Sequence, residues 1–244
     1  MNGTKADIIA RLQREILPLQ GLKPALKNAA LNAALGPVRH AFHGASFPLG
    51  AIHEFVANGM EDAAATGGFV NGLMSQLLKN KGVAVWISGI RTIFPPALQL
   101  FGIQPDTIIF IDLKKETEIL WAMEEALKCK GLAAVIGEMK ELSFTASRRL
   151  QLAVEQSQVT GFVLRRNPKR LEANACVSRW KIISLPSLQE DGMPGVGFPR
   201  WKVELSKTRN GKPGSWEIEW VAGHFKHVSK KTDQVWQPLQ KVAG

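Results

Sequence analysis

The 244-residue sequence has no tyrosine, only two cysteines, and no apolar run near the ~20 residues that a membrane-spanning helix needs. The absence of tyrosine removes phenol chemistry, and the isolated Cys129 and Cys176 argue against a disulfide framework. The first residues alternate charged side chains with Ile and Leu, unlike a signal or transit peptide. With 45% hydrophobic and 21% charged residues, disordered and collagen-like classes are excluded. We expect a cytoplasmic protein with a substantial core.

Positive charge is in excess and unevenly distributed. The chain has 31 Lys and Arg against 21 Asp and Glu, a formal net charge of +10. Residues 161–244 carry 15 basic and 7 acidic residues, so they hold most of the excess. Solvated surface lysines would account for this, but a one-sided excess favours a polyanion or an acidic protein as partner.

Three regions follow from the pattern along the chain. Residues 1–43 comprise an N-terminal helix and a linker, residues 44–225 form the core with its β-extension, and residues 226–244 are a basic tail. Thr4 is the predicted helix cap, and one face of the helix is apolar, through Ile8, Ile9, Leu12 and Ile16. This face is expected to pack either on the core of the chain or on a partner.

The core alternates short β-rich runs with helical periods. Continuous apolar runs at 51–56, 83–88, 106–112, 132–139 and 161–166 are separated by segments with helical spacing. Runs without polar alternation are typical of strands covered on both faces, and strand–helix–strand order indicates parallel crossovers. We therefore predict an α/β fold with a mainly parallel sheet flanked by helices.

The pattern changes after residue 177. Three strand-like runs at 178–187, 200–209 and 215–225 follow, and the last two are joined by the turn sequence NGKPG. We predict an antiparallel C-terminal extension of the sheet.

A glycine-containing segment after the first strand has the layout of a nucleotide-binding unit. We expect a loop followed by a helix starting near GGFVNG, with Gly59, Thr66, Gly67 and Gly68 as a degenerate phosphate loop. A working loop needs a Lys beside the last Gly and then Ser or Thr for Mg²⁺. The segment has neither, and Glu61 and Asp62 place negative charge where phosphate would lie.

The order of these segments resembles RecA-like proteins. The stretch FPLGAIHEF is similar to the entry to the RecA ATPase core, and LQLFGIQPDTIIFIDLKKETEILWAMEEALKCKGLAAVIGEM is similar to the segment that ends in the Walker B strand. Together with RRLQLAVEQSQVTGFVLRR and the basic β-extension, the set most resembles the ImuA family, RecA-like accessory proteins of bacterial damage-induced (SOS) mutagenesis. The resemblance spans roughly residues 44–225.

Measured against that resemblance, the catalytic residues of RecA are missing. Gly137 stands where the Walker B Asp would be, with Glu138 one place on, and Ser88, Gly89 and Ile90 stand where the water-polarising Glu would follow the second strand. Phosphoryl transfer depends on positioned positive charge and an oriented water. We therefore predict a pseudo-ATPase with no cofactor and no catalytic residues. Glu138 is interpreted as either a displaced metal ligand or a surface or capping residue.

The resemblance also implies partners. It implies a non-catalytic adaptor in translesion DNA synthesis that binds a Y-family polymerase homologue and an error-prone replicative-type polymerase. The RecA recombinase and DNA are further candidate partners. Two alternatives stay open: a divergent DNA-dependent ATPase or recombinase, and a regulator of the recombinase filament.

Two basic clusters are the candidate DNA-binding or partner-binding residues. One follows the last parallel strand and the other lies along the predicted hairpin: Arg165, Arg166, Lys169 and Arg170, then Lys202, Lys207, Arg209 and Lys212. Residues 207–209 resemble the K-x-R element of RecA-like ATPases, here interpreted as an anion contact. Phosphate contact and ordinary solvated charge both fit these patterns.

Two further patterns have competing interpretations. The hairpin tryptophans Trp201, Trp216 and Trp220 would either stack on unpaired bases or face the core, and their period of two favours the core. His40 and His43, like His224 and His227, have a metal-compatible spacing, but no nearby Cys or carboxylate completes a site, so no metal is expected.

Overall fold

The computed structural model describes residues 28–79, 82–90, 93–187 and 197–228. The helices are α1 (Ala29–Ala34), α2 (Gly59–Leu78), α3 (Glu116–Leu127) and α4 (Phe144–Ser157). Short 3₁₀ segments cover Gly36–Ala41, His43–Ala45, Pro95–Phe101 and Pro105–Thr107. The strands are β1 (Ile52–Ala57), β2 (Val83–Ser88), β3 (Ile108–Asp112), β4 (Leu132–Met139), β5 (Thr160–Arg166), β6 (Ser178–Leu185), β7 (Arg200–Thr208), β8 (Gly214–Val221) and β9 (His224–His227).

All nine of these strands form one sheet in the order β3-β2-β4-β5-β1-β6-β7-β8-β9. Across the sheet in this order, neighbouring strands are parallel from the edge strand β3 as far as β6. From β6 to the other edge strand, β9, neighbouring strands are antiparallel. The predicted α/β fold with an antiparallel C-terminal extension is therefore confirmed. The turn at 209–213 joins β7 to β8, as the NGKPG sequence indicates.

The two faces of the sheet have separate cores. One face packs against α2 and the 3₁₀ segments, with the fully buried Trp180 stacked on Phe55 at 5.9 Å between ring centroids. The other face packs against α3 and α4 through residues such as Met123 and Val154. Because the parallel strands are covered on both sides, their sequences are continuously apolar.

The extension has only one covered face. On β7 the side chains of Trp201, Val203 and Leu205 are buried, and Lys202 and Glu204 between them are partly exposed. This alternation confirms the period of two that the sequence shows. The adjacent β9 adds Phe225, whose ring lies 4.8 Å from that of Phe69 on α2.

Helix α2 begins earlier than predicted. Its first residue is Gly59, so the expected loop up to residue 66 is wrong, and those residues form the first two turns of a 20-residue helix. The helix-forming Glu61, Asp62 and three consecutive alanines outweigh the glycines at this position.

Other expectations fall partly outside the described residues. The predicted N-terminal helix lies in residues 1–27 and the end of the predicted tail in residues 229–244, and both ranges are outside them. The proposed tail boundary at 226 falls within β9. Among the described helices, none has the length and hydropathy to cross a membrane.

Two neighbouring glycines in α2 allow a matched test of packing. A Cβ at Gly68 would lie 2.8 Å from Cζ2 of the buried Trp201, whereas a Cβ at Gly67 would meet nothing within 4 Å. Gly67→Ala should stabilise the protein by up to about 1 kcal/mol through helix propensity. Gly68→Ala should be less stable than Gly67→Ala by about 1–3 kcal/mol because of overpacking. Urea denaturation measures the free energy of unfolding of both variants. Equal stabilities of the two would contradict the close contact between Gly68 and Trp201.

Candidate functional site

A cleft of about 980 Å³ opens at the carboxyl ends of the parallel strands. This is the edge where open α/β sheets usually bind ligands. One wall is the first half of α2, and five aromatic residues are among those that line the rest of the cleft: Trp86, Phe94, Phe101, Phe198 and Trp201. The cleft is the candidate site because its location and its apolar lining are those of ligand pockets.

The connection from β1 into α2 is a single residue, Asn58. The first backbone N–H of the helix, at Gly59, donates to Oδ1 of Asn167 at 2.7 Å. Glu61 and Asp62 lie in the first turn of the helix, where their negative charges interact favourably with the helix dipole. The same charges would repel a bound anion. A phosphate at this helix terminus would have to displace Asn167 and face two carboxylates.

The predicted phosphate-loop residues all line the cleft, but they do so as turns of α2. Gly59, Thr66, Gly67 and Gly68 lie on the helix wall together with Asn71. Oγ1 of Thr66 and Oδ1 of Asn71 are buried without a hydrogen-bond partner among the described residues. A buried polar atom in this state costs free energy unless a ligand or water satisfies it.

Glu138 is a buried residue of the cleft, which corrects its interpretation as a surface or capping residue. It accepts a hydrogen bond from Nε1 of Trp86 at 2.8 Å and forms an ion pair with Arg166 at 2.7 Å. Burial raises the pKa of this carboxyl, although Arg166 and Trp86 work in the opposite direction. Gly137 faces away from the cleft, because a Cβ there would lie 2.5 Å from Sδ of Met123. An acidic side chain at 137 would therefore point into the packing of α3.

Arg165 is buried in an ionic cluster on the α4 side of the sheet. Its guanidinium pairs with Glu54 at 2.7 Å and with Glu141 at 2.9 Å. Arg179 and Asn174 also donate to Glu54. Burial opposes the charge on Glu54, but the donors outweigh it and hold the pKa of the carboxyl below its ordinary value. Arg165 is thus unavailable to DNA in this conformation, contrary to its prediction as a binding residue.

The remaining predicted basic residues do not converge on one surface. Lys202 pairs with Glu204 on the solvent-facing side of β7, and Arg166 belongs to the cleft. Lys207 donates to the carbonyl oxygen of Asn174 at 2.7 Å, and desolvation lowers its pKa. Arg209 is half-buried, which leaves three exposed members of the predicted set: Lys169, Arg170 and Lys212.

These three exposed residues lie at opposite edges of the sheet. Lys169 and Arg170 follow β5 at the same edge as the cleft. Lys212 lies in the β7–β8 turn at the other edge, because Thr208 at the end of β7 pairs with Ser178 at the start of β6. The two predicted basic clusters are therefore separate in space.

Burial resolves the competing predictions for the tryptophans and also determines the state of Cys176. Trp201 and Trp220 are core residues and Trp216 packs partly against the core, which confirms the core interpretation over base stacking. Burial raises the pKa of Cys176 to about 12, so its thiol stays protonated. Within the described ranges, no group of three or more His, Cys, Asp or Glu side chains is arranged to hold a metal ion.

Comparison with known proteins defines the family. The chain is 36% identical over 207 residues to Protein ImuA of Caulobacter vibrioides strain NA1000 / CB15N, covering 80% of this chain and 85% of that protein. Protein ImuA of strain ATCC 19089 / CIP 103742 / CB 15 gives the same values. The chain belongs to the ImuA family. No family model matches it.

The ionic cluster predicts a large cost for neutralising Glu54. Glu54→Gln leaves Arg165 and Arg179 without their buried counter-charge and should destabilise the fold by about 3–5 kcal/mol at pH 7. The pKa of Glu54 is lowered by folding, so its contribution is present above pH 4.5 and is lost as pH falls below that value. Urea denaturation from pH 7 to 4 should show that the difference in free energy of unfolding between the natural protein and Glu54→Gln becomes smaller at acid pH.

The control for this measurement is Glu125→Gln, which breaks an exposed ion pair with Lys128. Exposed pairs contribute little, so less than about 1 kcal/mol is expected at any pH. Similar losses in both variants would contradict the structural role of the cluster.

A second buried polar chain links His53 on β1 to Ser178 and Trp180 on β6. The carbonyl oxygen of Pro48 must accept from Nε2 at 2.8 Å, so Nδ1 accepts from the hydroxyl of Ser178 at 2.7 Å. Ser178 in turn accepts from Nε1 of Trp180. The arrangement requires a neutral imidazole, and burial lowers the pKa of His53 to about 4.

This histidine predicts a loss of stability on mild acidification. Its pKa is lower in the folded than in the unfolded state, so its contribution is present above pH 6.5 and falls as pH approaches 4. Between pH 7.5 and 5 the loss should be about 2 kcal/mol. Denaturation of His53→Gln should show a correspondingly weaker pH dependence, and identical slopes for the variant and the natural protein would contradict the assignment.

Proposed function

We propose that the chain is a non-catalytic accessory protein of error-prone translesion synthesis, a pseudo-ATPase that holds other proteins together. Membership of the ImuA family supports an accessory role in damage-induced mutagenesis. The observation that carries the proposal is the one-residue junction between β1 and α2. A phosphate-binding loop surrounds its anion with backbone N–H groups and a Lys, and this junction has room for neither.

The rest of the cleft supports the same proposal. A catalytic site for phosphoryl transfer needs positive charge and a metal carboxylate directed at the nucleotide. In the cleft, Arg166 is paired with Glu138, and the turn beside the strand end carries Glu61 and Asp62. Because the described arginines that line the cleft are paired with carboxylates, a divergent ATPase is the less favoured function.

The partners in this proposal are those that the family resemblance implies. They are a Y-family polymerase homologue and an error-prone replicative-type polymerase, in the cytoplasm. Regulation of the recombinase filament is the competing role for the same scaffold. Both roles need protein contacts and neither needs ATP hydrolysis.

An affinity purification from cells treated with a DNA-damaging agent tests the adaptor role. The tagged full chain should retain both polymerase subunits, and their recovery should be unchanged when ATP is depleted from the lysate, because no nucleotide is required. Recovery of the recombinase alone would support the filament regulator instead. A strict requirement for ATP in polymerase capture would contradict the pseudo-ATPase.

Direct DNA contact is proposed for the exposed pair that follows β5. Lys169→Ala combined with Arg170→Ala should weaken binding of a single-stranded oligonucleotide and reduce the slope of log K against log salt by about 1–1.5, since each phosphate contact on single strands contributes about 0.7. Fluorescence anisotropy at several salt concentrations measures both quantities.

The matched control for charge removal is Lys128→Ala with Lys130→Ala, which lie before β4 at the opposite edge of the sheet. This variant also loses two positive charges. Equal weakening by both variants would indicate a nonspecific effect of net charge and would contradict a DNA contact at 169–170.

A further inference from the structure

The apolar lining of the cleft continues onto the surface around it. Met60, Phe94 and Phe198 line the cleft and are 89%, 68% and 49% exposed. A small molecule held within the cleft would leave most of this exposed surface in water, whereas a protein laid across the cleft would cover it. Exposed apolar side chains that adjoin a cleft are typical of protein-docking sites. These side chains therefore indicate a protein as the occupant.

The cleft is large enough for several bulky side chains. Its volume of about 980 Å³ lies at the upper end of the range for ligand pockets, roughly 300–1,000 Å³. The wall from Gly59 to Gly68 is about 15 Å long at 1.5 Å per helical residue. A helix presents side chains i, i+4 and i+7 on one face over about 10 Å, so three of them fit along this wall.

The polar groups of the cleft favour a helical occupant over an extended one. An extended segment needs partners for its backbone N–H and C=O groups, as in peptides that add a strand to a sheet. Here Arg166 and Glu138 bind each other, and Asn167 is bonded to the N–H of Gly59. A helix satisfies its own backbone hydrogen bonds and needs only an apolar surface to pack against.

An unpaired carboxylate defines the charge that suits the occupant. Among the described charged side chains that line the cleft, Glu138 and the three arginines are in ion pairs, and Glu61 has no partner. Asp62 beside it in the first turn of α2 has none either within the described ranges. A Lys or Arg at the edge of a docked helix would pair with Glu61, whereas an acidic residue there would be repelled.

We propose that the cleft docks an amphipathic α-helix of a partner protein, with its bulky apolar side chains against α2 and a Lys or Arg paired with Glu61. This inference rests on the proposed adaptor function and names the surface and the chemistry of one of its contacts. The two polymerase subunits of that function are the probes that test it.

Binding of each purified polymerase subunit to the immobilised full chain, measured by biolayer interferometry, tests the surface. Gly67→Leu should weaken binding of one subunit by roughly tenfold or more, because a filled cleft excludes the anchoring side chains. A Cβ at Gly67 meets nothing within 4 Å, so the leucine projects into the cleft without disturbing the fold. Unchanged circular dichroism and thermal unfolding establish that the variant is folded.

The matched control for the added side chain is Gly131→Leu. A Cβ at Gly131 also meets nothing within 4 Å, and the residue precedes β4 at the opposite edge of the sheet. This variant should bind the subunit as tightly as the natural chain does.

Charge reversal tests the role of the carboxylate. Glu61→Lys should weaken binding of the same subunit about fivefold to tenfold at low salt, and less at high salt, because added ions screen the pair. Glu118→Lys is the control, since it reverses a charge in the first turn of α3, which packs on the other face of the sheet. It should leave binding unchanged.

Photo-crosslinking identifies the segment that occupies the cleft. With p-benzoylphenylalanine in place of Phe198, the chain should cross-link to a segment of the bound subunit with apolar residues at helical spacing and a Lys or Arg beside them. The same group in place of Trp121, which is 63% exposed on α3, should not reach that segment. Changing the basic residue of the segment to Glu should weaken binding to the natural chain, and Glu61→Lys should restore it.

The possible failures separate this inference from the proposed function. Equal binding of the subunits by the Gly67→Leu and Gly131→Leu chains would overturn the docking site and leave the adaptor function standing. Equal effects of Glu61→Lys and Glu118→Lys, or a cross-linked segment that is acidic or lacks helical spacing, would overturn the assigned occupant. Binding of neither subunit by the natural chain would contradict the adaptor function and this inference with it.

Discussion

The junction between β1 and α2 is the constraint on which the rest of the account depends. Because only Asn58 separates the strand from the helix, α2 occupies the space that a phosphate-binding loop would need. Its first N–H is bonded to Asn167, and its first turn is acidic. A phosphate at this helix start would therefore have to displace Asn167 and face two carboxylates.

The charged side chains around this junction are mostly committed to the fold. Glu54 holds Arg165 and Arg179 against the loop that connects β5 to β6, and Glu138 holds Arg166 at the cleft. Residues that would otherwise be available to a nucleotide or to DNA are therefore paired. What the cleft presents instead is an apolar wall, which suits docking of protein segments.

The fold was predictable because strand burial leaves a clear signal. Continuous apolar runs specify the parallel strands, and the alternation around Trp201 specifies the one-sided extension. The ion pairs were not predictable, because a basic run such as that around Arg165 looks the same whether it faces solvent or a buried carboxylate 111 positions away. The one available signal was Glu54 itself, a lone acidic residue in an apolar strand, which requires a buried counter-charge. Asn167 and Asn71 gave no comparable signal, since their roles depend on packing across the sheet edge.

The start of α2 shows how local and long-range information conflict. The glycines at 67 and 68 favoured a loop, but the close contact of Gly68 with Trp201 belongs to a strand more than 130 residues later. Helix propensity and tertiary packing together determine the helix here. The same contact gives the cleft its shape, so fold and candidate site depend on one long-range pair.

A crystal structure determined after soaking with a non-hydrolysable ATP analogue and Mg²⁺ tests the central claim most directly. We expect no nucleotide density at the start of α2, with Asn167 still bonded to Gly59. Triphosphate seated beside Gly59 and Thr66 with an ordered magnesium ion would contradict it.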